Sequence, residues 1–148
     1  MVKEFLIVFQ KINKKIFMLS KSFINKVLKK YINDTKLQKA YNDYPKSAQN
    51  NACKVLRWID KYGRDEVAGM TRTGLARANQ LCNKENLSES TIARMAAFER
   101  HRKNAEVNPE FKSTPWKDRG YVAWLGWGGS TGIAWAQRKL KSIRNEKK

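Results

Sequence analysis

The stretch from Asn86 to Arg102, NLSESTIARMAAFERHR, carries the residue types that a DNA-reading helix needs, at the spacing of a capped helix start. Ser88 is a preferred N-cap, and Leu87 and Ile92 stand where a hydrophobic staple closes. Glu89 suits the positive end of the helix dipole, and Arg100 and Arg102 suit the negative end. Ile92, Met95, Ala96 and Glu99 share one face and predict a buried stripe, whereas Ser88, Ser90, Thr91, Arg94 and His101 mostly fall elsewhere. With the residues before it, LARANQLCNKENLSESTIARM fits a helix-turn-helix frame. Cys82 takes the small buried position, Asn86 the turn position that tolerates positive φ, and Leu87 and Ile92 complete the packing.

The second helix of that frame presents Ser88, Glu89, Ser90, Thr91 and Arg94 toward a groove. Arginine reads guanine edges and hydroxyls serve phosphates or bases, so any sequence readout is expected from Ser90, Thr91 and Arg94. Arg72, Arg77 and the lysine-rich termini are expected on phosphates, with Arg100, Arg102 and Lys103 extending the basic surface. Glu89 counts against the groove, because it repels phosphate unless it accepts from a cytosine. The plainer alternative is two packed helices with a good cap.

Charge names the kind of partner. Lys and Arg total 31 against 13 Asp and Glu, a net +18 in 148 residues. Such an excess attracts polyanions, nucleic acid first and anionic membrane second. The length allows one domain, or one plus a tail, and a hydrophobic fraction of 41% with five Trp allows a modest core. Catalysis finds little support. His101 is the only histidine, and neither Asp118 with Glu110 nor Asp65 with Glu66 has acid–base spacing on one face. No metal or cofactor is expected, and Cys53 and Cys82 are expected as buried free thiols of a reducing compartment.

These side chains must be positioned by helices, because strand-like alternation is nearly absent. Eleven lysines fall in residues 1–46 against Glu4, Asp34 and Asp43. From Phe9, the residues Ile12, Ile16, Leu19, Phe23, Val27 and Tyr31 recur at three-to-four spacing, which predicts a basic amphipathic helix within an arm of residues 1–44. Ile12, Ile16, Leu19, Phe23 and Val27 are its candidate docking residues. The stripe can dock on the domain or another copy, lie on a membrane surface, or enter a partner's groove. FLIVF at 5–9 is too short to span a bilayer and lacks a secretory cleavage site.

Residues 45–148 are expected to form the domain. Ser47 can cap a helix with Ala48, Ala52, Val55, Leu56 and Ile59 inward, ended by Gly63. Thr73 can cap a short helix through Cys82 with Leu75, Ala78 and Leu81 inward, and the stapled helix is expected from Glu89 to about Lys103. Pro109 and Pro115 mark an ordered loop over 104–117. GYVAWLGWGG predicts a short buried helix or extended stretch stopped by Gly128 and Gly129. Thr131 can cap a last helix with Ile133, Ala134, Leu140 and Ile143 inward, and its basic tail is expected to fray. Gly128 and Gly129 before Ser130 and Thr131 could hold an anion on backbone N–H groups, although the strand and Lys of a phosphate loop are missing. The plainer reading is a tight turn that packs Trp124, Trp127 and Trp135, whereas exposed tryptophans would suit stacking on single strands. The fold class is therefore all-α, a compact bundle of about five helices with a helix-turn-helix-like pair and a basic amphipathic N-terminal helix.

From Tyr44 to Ile143 the chain resembles a small module recurrent in tailed-bacteriophage genomes, alone or at the ends of head-morphogenesis and prohead-protease proteins. YPKSAQNNACKVLRWIDKYG, GLARANQL, LSESTIARMAAFERH and above all AWLGWGGSTGIAWAQRKL carry the likeness. The resemblance implies a viral origin, a location in host cytoplasm or virion, and proximity to packaged DNA, but no chemistry. It includes no protease core and does not extend to the N-terminal helix. The expectation is a non-enzymatic, largely electrostatic nucleic-acid binder with DNA as partner. The competing expectation is a virion structural or assembly protein that docks on phage head proteins through the arm and the Trp-rich domain. Weak contact of the arm with anionic membrane is a third.

Overall fold

The computed structural model describes residues 2–37 and 40–148, with side chains throughout these except at 16–19 and 33–37. Two compact units divide the chain, Met1–Lys39 and Ala40–Lys148. The first contains α1 (Val2–Leu37), a single helix of 36 residues uninterrupted by Gly or Pro, about 54 Å long at the standard rise. Ile12, Phe23 and Val27 are about half exposed or more, and Ile16 and Leu19 lie outside the residues whose side chains are described.

The second unit is predominantly helical, and its element boundaries follow from local hydrogen bonding. Helix α2 (Lys46–Tyr62) begins directly after Pro45, whose missing N–H costs nothing at a helix start. Ser47 is therefore not the cap, and its hydroxyl donates to Thr131 Oγ1 at 2.7 Å. Ala48, Ala52 and Val55 are buried, and Gly63, at φ 90°, ends the helix. Helix α3 (Arg72–Cys82) is capped by Thr71 and not Thr73, the Thr71 hydroxyl accepting from the Gly74 N–H at 3.0 Å.

The turn after α3 corrects a second expectation. Its left-handed residue is Lys84, at φ 56°, and not Asn86. The N–H of Lys84 bonds the Leu81 carbonyl and that of Glu85 bonds the Gln80 carbonyl, so the left-handed residue falls where it satisfies the last carbonyls of the helix. Lys84 is held by donating to the Tyr44 carbonyl at 2.8 Å, with its ammonium 4.5 Å from the Tyr44 ring centre.

A short antiparallel ladder, which no alternation announces, pairs β1 (Ala40–Tyr41) with β2 (Leu87–Ser88) in the register Ala40 to Ser88 and Tyr41 to Leu87. Tyr44 is 2% exposed, and its hydroxyl donates to the Glu85 carbonyl at 2.9 Å. The segment from Ala40 thus belongs to the compact unit, and the boundary expected at 44/45 moves to 39/40.

Helix α4 (Glu89–Ala97) is shorter than expected, giving way to 3-10 turns over Phe98–Asn104 with a non-helical break at His101. Two further 3-10 turns, Pro109–Phe111 and Pro115–Lys117, lead to α5 (Arg119–Gly126). Helix α6 (Gly129–Glu146) follows the left-handed Gly128, so Thr131 lies inside its first turns and is not a cap. Its basic end does not fray: Leu140 and Ile143 are buried and keep the helix docked through Glu146.

Two apolar clusters hold this unit. Tyr44, Leu81, Leu87, Ile92, Met95 and Trp135 form the heart of one, and Val55, Val67, Met70, Val122 and Leu125 form the other. Helix α3 packs chiefly on α2, and α4 chiefly on α6. Cys53 of α2 and Cys82 of α3 are joined in a disulfide, their Cα atoms 4.8 Å apart, and are only half-buried. They are not the buried free thiols that their spacing suggested.

Candidate nucleic-acid interface

The start of α4 is built by the residues that its sequence singled out. Ser88 is the N-cap, its Oγ accepting from the Thr91 N–H at 3.3 Å. Leu87 and Ile92 are fully buried on either side of the cap, which fixes the angle at which the chain enters the helix. The Ser88 hydroxyl donates to Thr91 Oγ1 at 3.1 Å and lies 3.0 Å from Ser90 Oγ. Ser88, Ser90 and Arg94 are exposed and Thr91 is half-buried. Ser90, Thr91 and Arg94 therefore fall on one side of the nine-residue helix, which Ser88 caps and in whose last turn Arg94 stands.

Arg77 completes this group from behind. It is 5% exposed and so is not the surface phosphate contact that its charge suggested. Its Nη1 donates to Thr91 Oγ1 at 3.3 Å and, in a shorter contact, to Gln80 Oε1. The guanidinium lies 5.2 Å from the centre of the Trp127 ring, which stacks on Phe98 with centroids 4.9 Å apart. Nε has no acceptor. Burial, and after it the nearby Arg94 charge, push the Arg77 guanidinium below its ordinary pKa. Among the described residues, neither Arg77 nor Arg94 forms an ion pair. A buried cation served only by neutral groups is costly, and here it faces the same hydroxyl that Ser88 holds.

The acid that spoke against this face is neutralised. Glu89 accepts from the Lys147 ammonium at 2.6 Å, so its charge is balanced by the far end of α6. The other expected contacts lie elsewhere. Arg72 is exposed in the first turn of α3. Arg100, Arg102 and Lys103 occupy the 3-10 turns beyond the C-terminal end of α4. There the Arg102 guanidinium is engaged bidentately by Glu99, with one contact at 2.9 Å, and the hydrogen bond to Glu99 raises its pKa. Arg100 Nε donates to His101 Nε2 at 3.1 Å. These three do not join the group around Arg94. Neither the family models, nor the curated proteins, nor the solved structures compared with the chain match it.

The glycine-rich turn before α6 is occupied by the protein's own side chains. Asn51 Nδ2 donates to the Gly128 carbonyl at 3.0 Å, Ser130 Oγ accepts from Trp124 Nε1 at 3.2 Å, and Thr131 accepts from Ser47. Trp124 and Trp135 are buried and Trp127 is half-buried, so the turn serves close packing of the rings. Asp118 accepts from the Tyr121 and Asn108 N–H groups at 3.1 and 2.7 Å, which makes it a cap that organises the proline-bearing loop. Among the described residues no group of three or more His, Cys, Asp or Glu could hold a metal ion.

Gln80 is the member of the site that the sequence does not single out; Trp127 enters there only as a ring of the glycine-rich turn and Lys147 only as part of a lysine-rich terminus. Gln80 stands three residues after Arg77 on the same helix, a spacing that places the two side chains side by side. Lys147 and Trp127 come from distant segments, so nothing local places them beside Glu89 and Arg77.

Proposed function

We propose that the chain is a non-enzymatic nucleic-acid-binding protein with duplex DNA as its partner, acting in a bacteriophage setting. The observation that carries this reading is one side of α4, where the capping Ser88, then Ser90, the half-buried Thr91 and Arg94 in the last turn follow one another beside a buried Arg77 that has no ion pair. Hydroxyls and a free guanidinium suit phosphate oxygens and base edges, and a net +18 supplies affinity through counterion release. The α3–turn–α4 segment is helix-turn-helix-like in its capped second helix, although α4 rests on α6 and not chiefly on α3. The phage setting rests on the resemblance of residues 44–143. Of the two locations that it implies, the disulfide favours the virion, because reducing cytosol works against such bonds.

The experiment is a fluorescence-anisotropy titration of duplex DNA by the full chain across salt concentrations. The logarithm of affinity falls linearly with that of salt, and Arg94→Ala lowers the slope by about one. Binding that is absent at physiological salt, or a slope untouched by Arg94→Ala, overturns the reading.

A further inference from the structure

The apolar face of helix α1 is the largest feature that the DNA-binding reading leaves unused. We infer that α1 is a membrane-surface helix that lies in the headgroup region of an anionic bilayer. This goes beyond the DNA-binding reading and does not depend on it.

Three observations choose the lipid surface over a protein partner. The first is the width of the apolar face. Phe5, Leu6, Ile7, Val8 and Phe9 are each about half exposed or more, and five consecutive residues encircle a helix at 100° apiece. A groove or a helix partner covers one side only, whereas an acyl boundary covers whatever enters it. The second is the register. Phe9, Ile12, Ile16, Leu19 and Phe23 follow the seam of a two-stranded coil, but Lys26 and Lys30 occupy its next two positions. A coil of identical copies is thereby limited to about two heptads. Beyond Phe23 the apolar residues at the surface are Ile24, Val27, Leu28, Tyr31 and Ile32, each about half exposed or more.

The third observation is charge. Lys21, Ser22, Asn25, Lys26 and Lys29 line one shallow concavity along the helix, and Lys3, Lys11, Lys14 and Lys15 continue the polar side toward the N-terminus. From Lys11 on, lysines opposite a phenylalanine- and isoleucine-bearing face are what a helix lying flat on an anionic membrane requires. Among the described residues no helix is long and apolar enough to cross a membrane, so α1 rests on the bilayer without spanning it.

The test is flotation of the full chain with vesicles of phosphatidylglycerol and phosphatidylcholine, against vesicles of phosphatidylcholine alone. The whole chain is cationic, so the decisive variant leaves charge unchanged: Phe5→Ser, Phe9→Ser and Ile12→Ser together. The wild type floats with the anionic vesicles, and the triple variant loses at least about tenfold in partitioning, since three apolar side chains no longer enter the acyl boundary. The variant Lys21→Gln, Lys26→Gln and Lys29→Gln keeps every apolar residue of α1, and its flotation with anionic vesicles also weakens. Equal flotation of wild type and serine variant overturns the inference, because attraction by the chain's overall charge then suffices. Failure of the wild type to float overturns it too. So does a serine variant that merely converts a self-associated wild type to monomer in sedimentation, which assigns the face to a second copy.

Discussion

Removing the cross-link between α2 and α3 has an effect that can be worked from the chain. Cys53 and Cys82 are 29 residues apart, and closing a loop of that length removes about 3.5 kcal/mol of conformational entropy from the unfolded ensemble. The helices that it joins remain packed through Ala52, Ala78 and Leu81, all fully buried, so the reduced unit stays folded but weaker. For a unit of about 110 residues, 3.5 kcal/mol corresponds to a fall in melting temperature of about 15 °C. All five tryptophans lie between Trp58 and Trp135, so tryptophan fluorescence reports the melting of Ala40–Lys148 without interference from α1. The measurement compares the oxidised chain, the chain in a phosphine reductant, and the Cys53→Ser, Cys82→Ser double variant. The last two should melt together, well below the first. Alkylation of both cysteines in the folded, unreduced protein refutes the reasoning, as does a fall smaller than about 3 °C.

Three shorter predictions follow from the core and the caps. Burial, with the Glu85 charge beside it, raises the Tyr44 hydroxyl from 10.0 to about 12. A raised acid stabilises the fold below its unfolded pKa and stops doing so as pH climbs through its folded one. Wild-type stability should therefore fall between about pH 10 and 12 by on the order of 2–3 kcal/mol, and denaturant titrations of Tyr44→Phe should lack that component. Gly129→Ala places a Cβ at φ 66° and 2.2 Å from Asn51 Nδ2; a loss of at least about 2 kcal/mol in denaturant unfolding is expected. Ser88→Ala removes the cap of α4 and should cost about 1 kcal/mol in the same assay, and an unchanged midpoint would remove the cap from the account.

What the sequence reveals depends on how local the deciding contact is. The Ser88 cap, the Leu87–Ile92 staple and the Gly63 stop are legible because each is settled within a few residues. Ala48, Ala52 and Val55 of α2 and Ile133, Leu140 and Ile143 of α6 are legible because a 3.6-residue period gives their spacing, whereas Leu56, Ile59 and Ala134 are only half-buried and Trp135 and Ala136 are buried in their stead. Lys84 in place of Asn86 is not, because the helix end is chosen by the Gln80 and Leu81 carbonyls and by a lysine reaching Tyr44, forty residues away. The disulfide is invisible for the same reason: two cysteines in separate helices say nothing of the register in which those helices pack. Thr71 displaces Thr73, and Gly128 displaces Thr131, because several residues at each helix start could serve and tertiary packing selects among them. Arg77 is an intermediate case. It lies three residues after Gly74 and four before Leu81, on the buried face of α3, so its burial follows from the same period that places Leu81, once charge is not taken as proof of exposure.

Arg77 is also where stability and function can be separated. A guanidinium without a carboxylate, with Nε unsatisfied and 5% of its surface exposed, is an expensive way to fill a site beside Trp127. If its purpose were packing alone, an unbranched apolar side chain such as methionine would serve as well, and exchanging a buried charge for a well-packed apolar group is commonly neutral or stabilising by about 1–4 kcal/mol. Gln80 and Thr91 are both half-exposed and can turn to water when the guanidinium is gone. Arg77→Met should therefore leave the melting temperature of the unit unchanged or higher. If the proposed DNA binding holds, affinity should nevertheless fall by roughly tenfold, the equivalent of one charge-assisted hydrogen bond, because Thr91 loses the donor that holds it and the positive potential behind α4 disappears. Arg77→Lys restores the charge but not the planar fork, and should recover only part of that affinity. The opposite pattern, a variant destabilised by several kcal/mol that binds DNA as the wild type does, would make Arg77 a structural residue. The α4 face would then keep only its exposed hydroxyls and Arg94, a combination common on the surfaces of basic proteins.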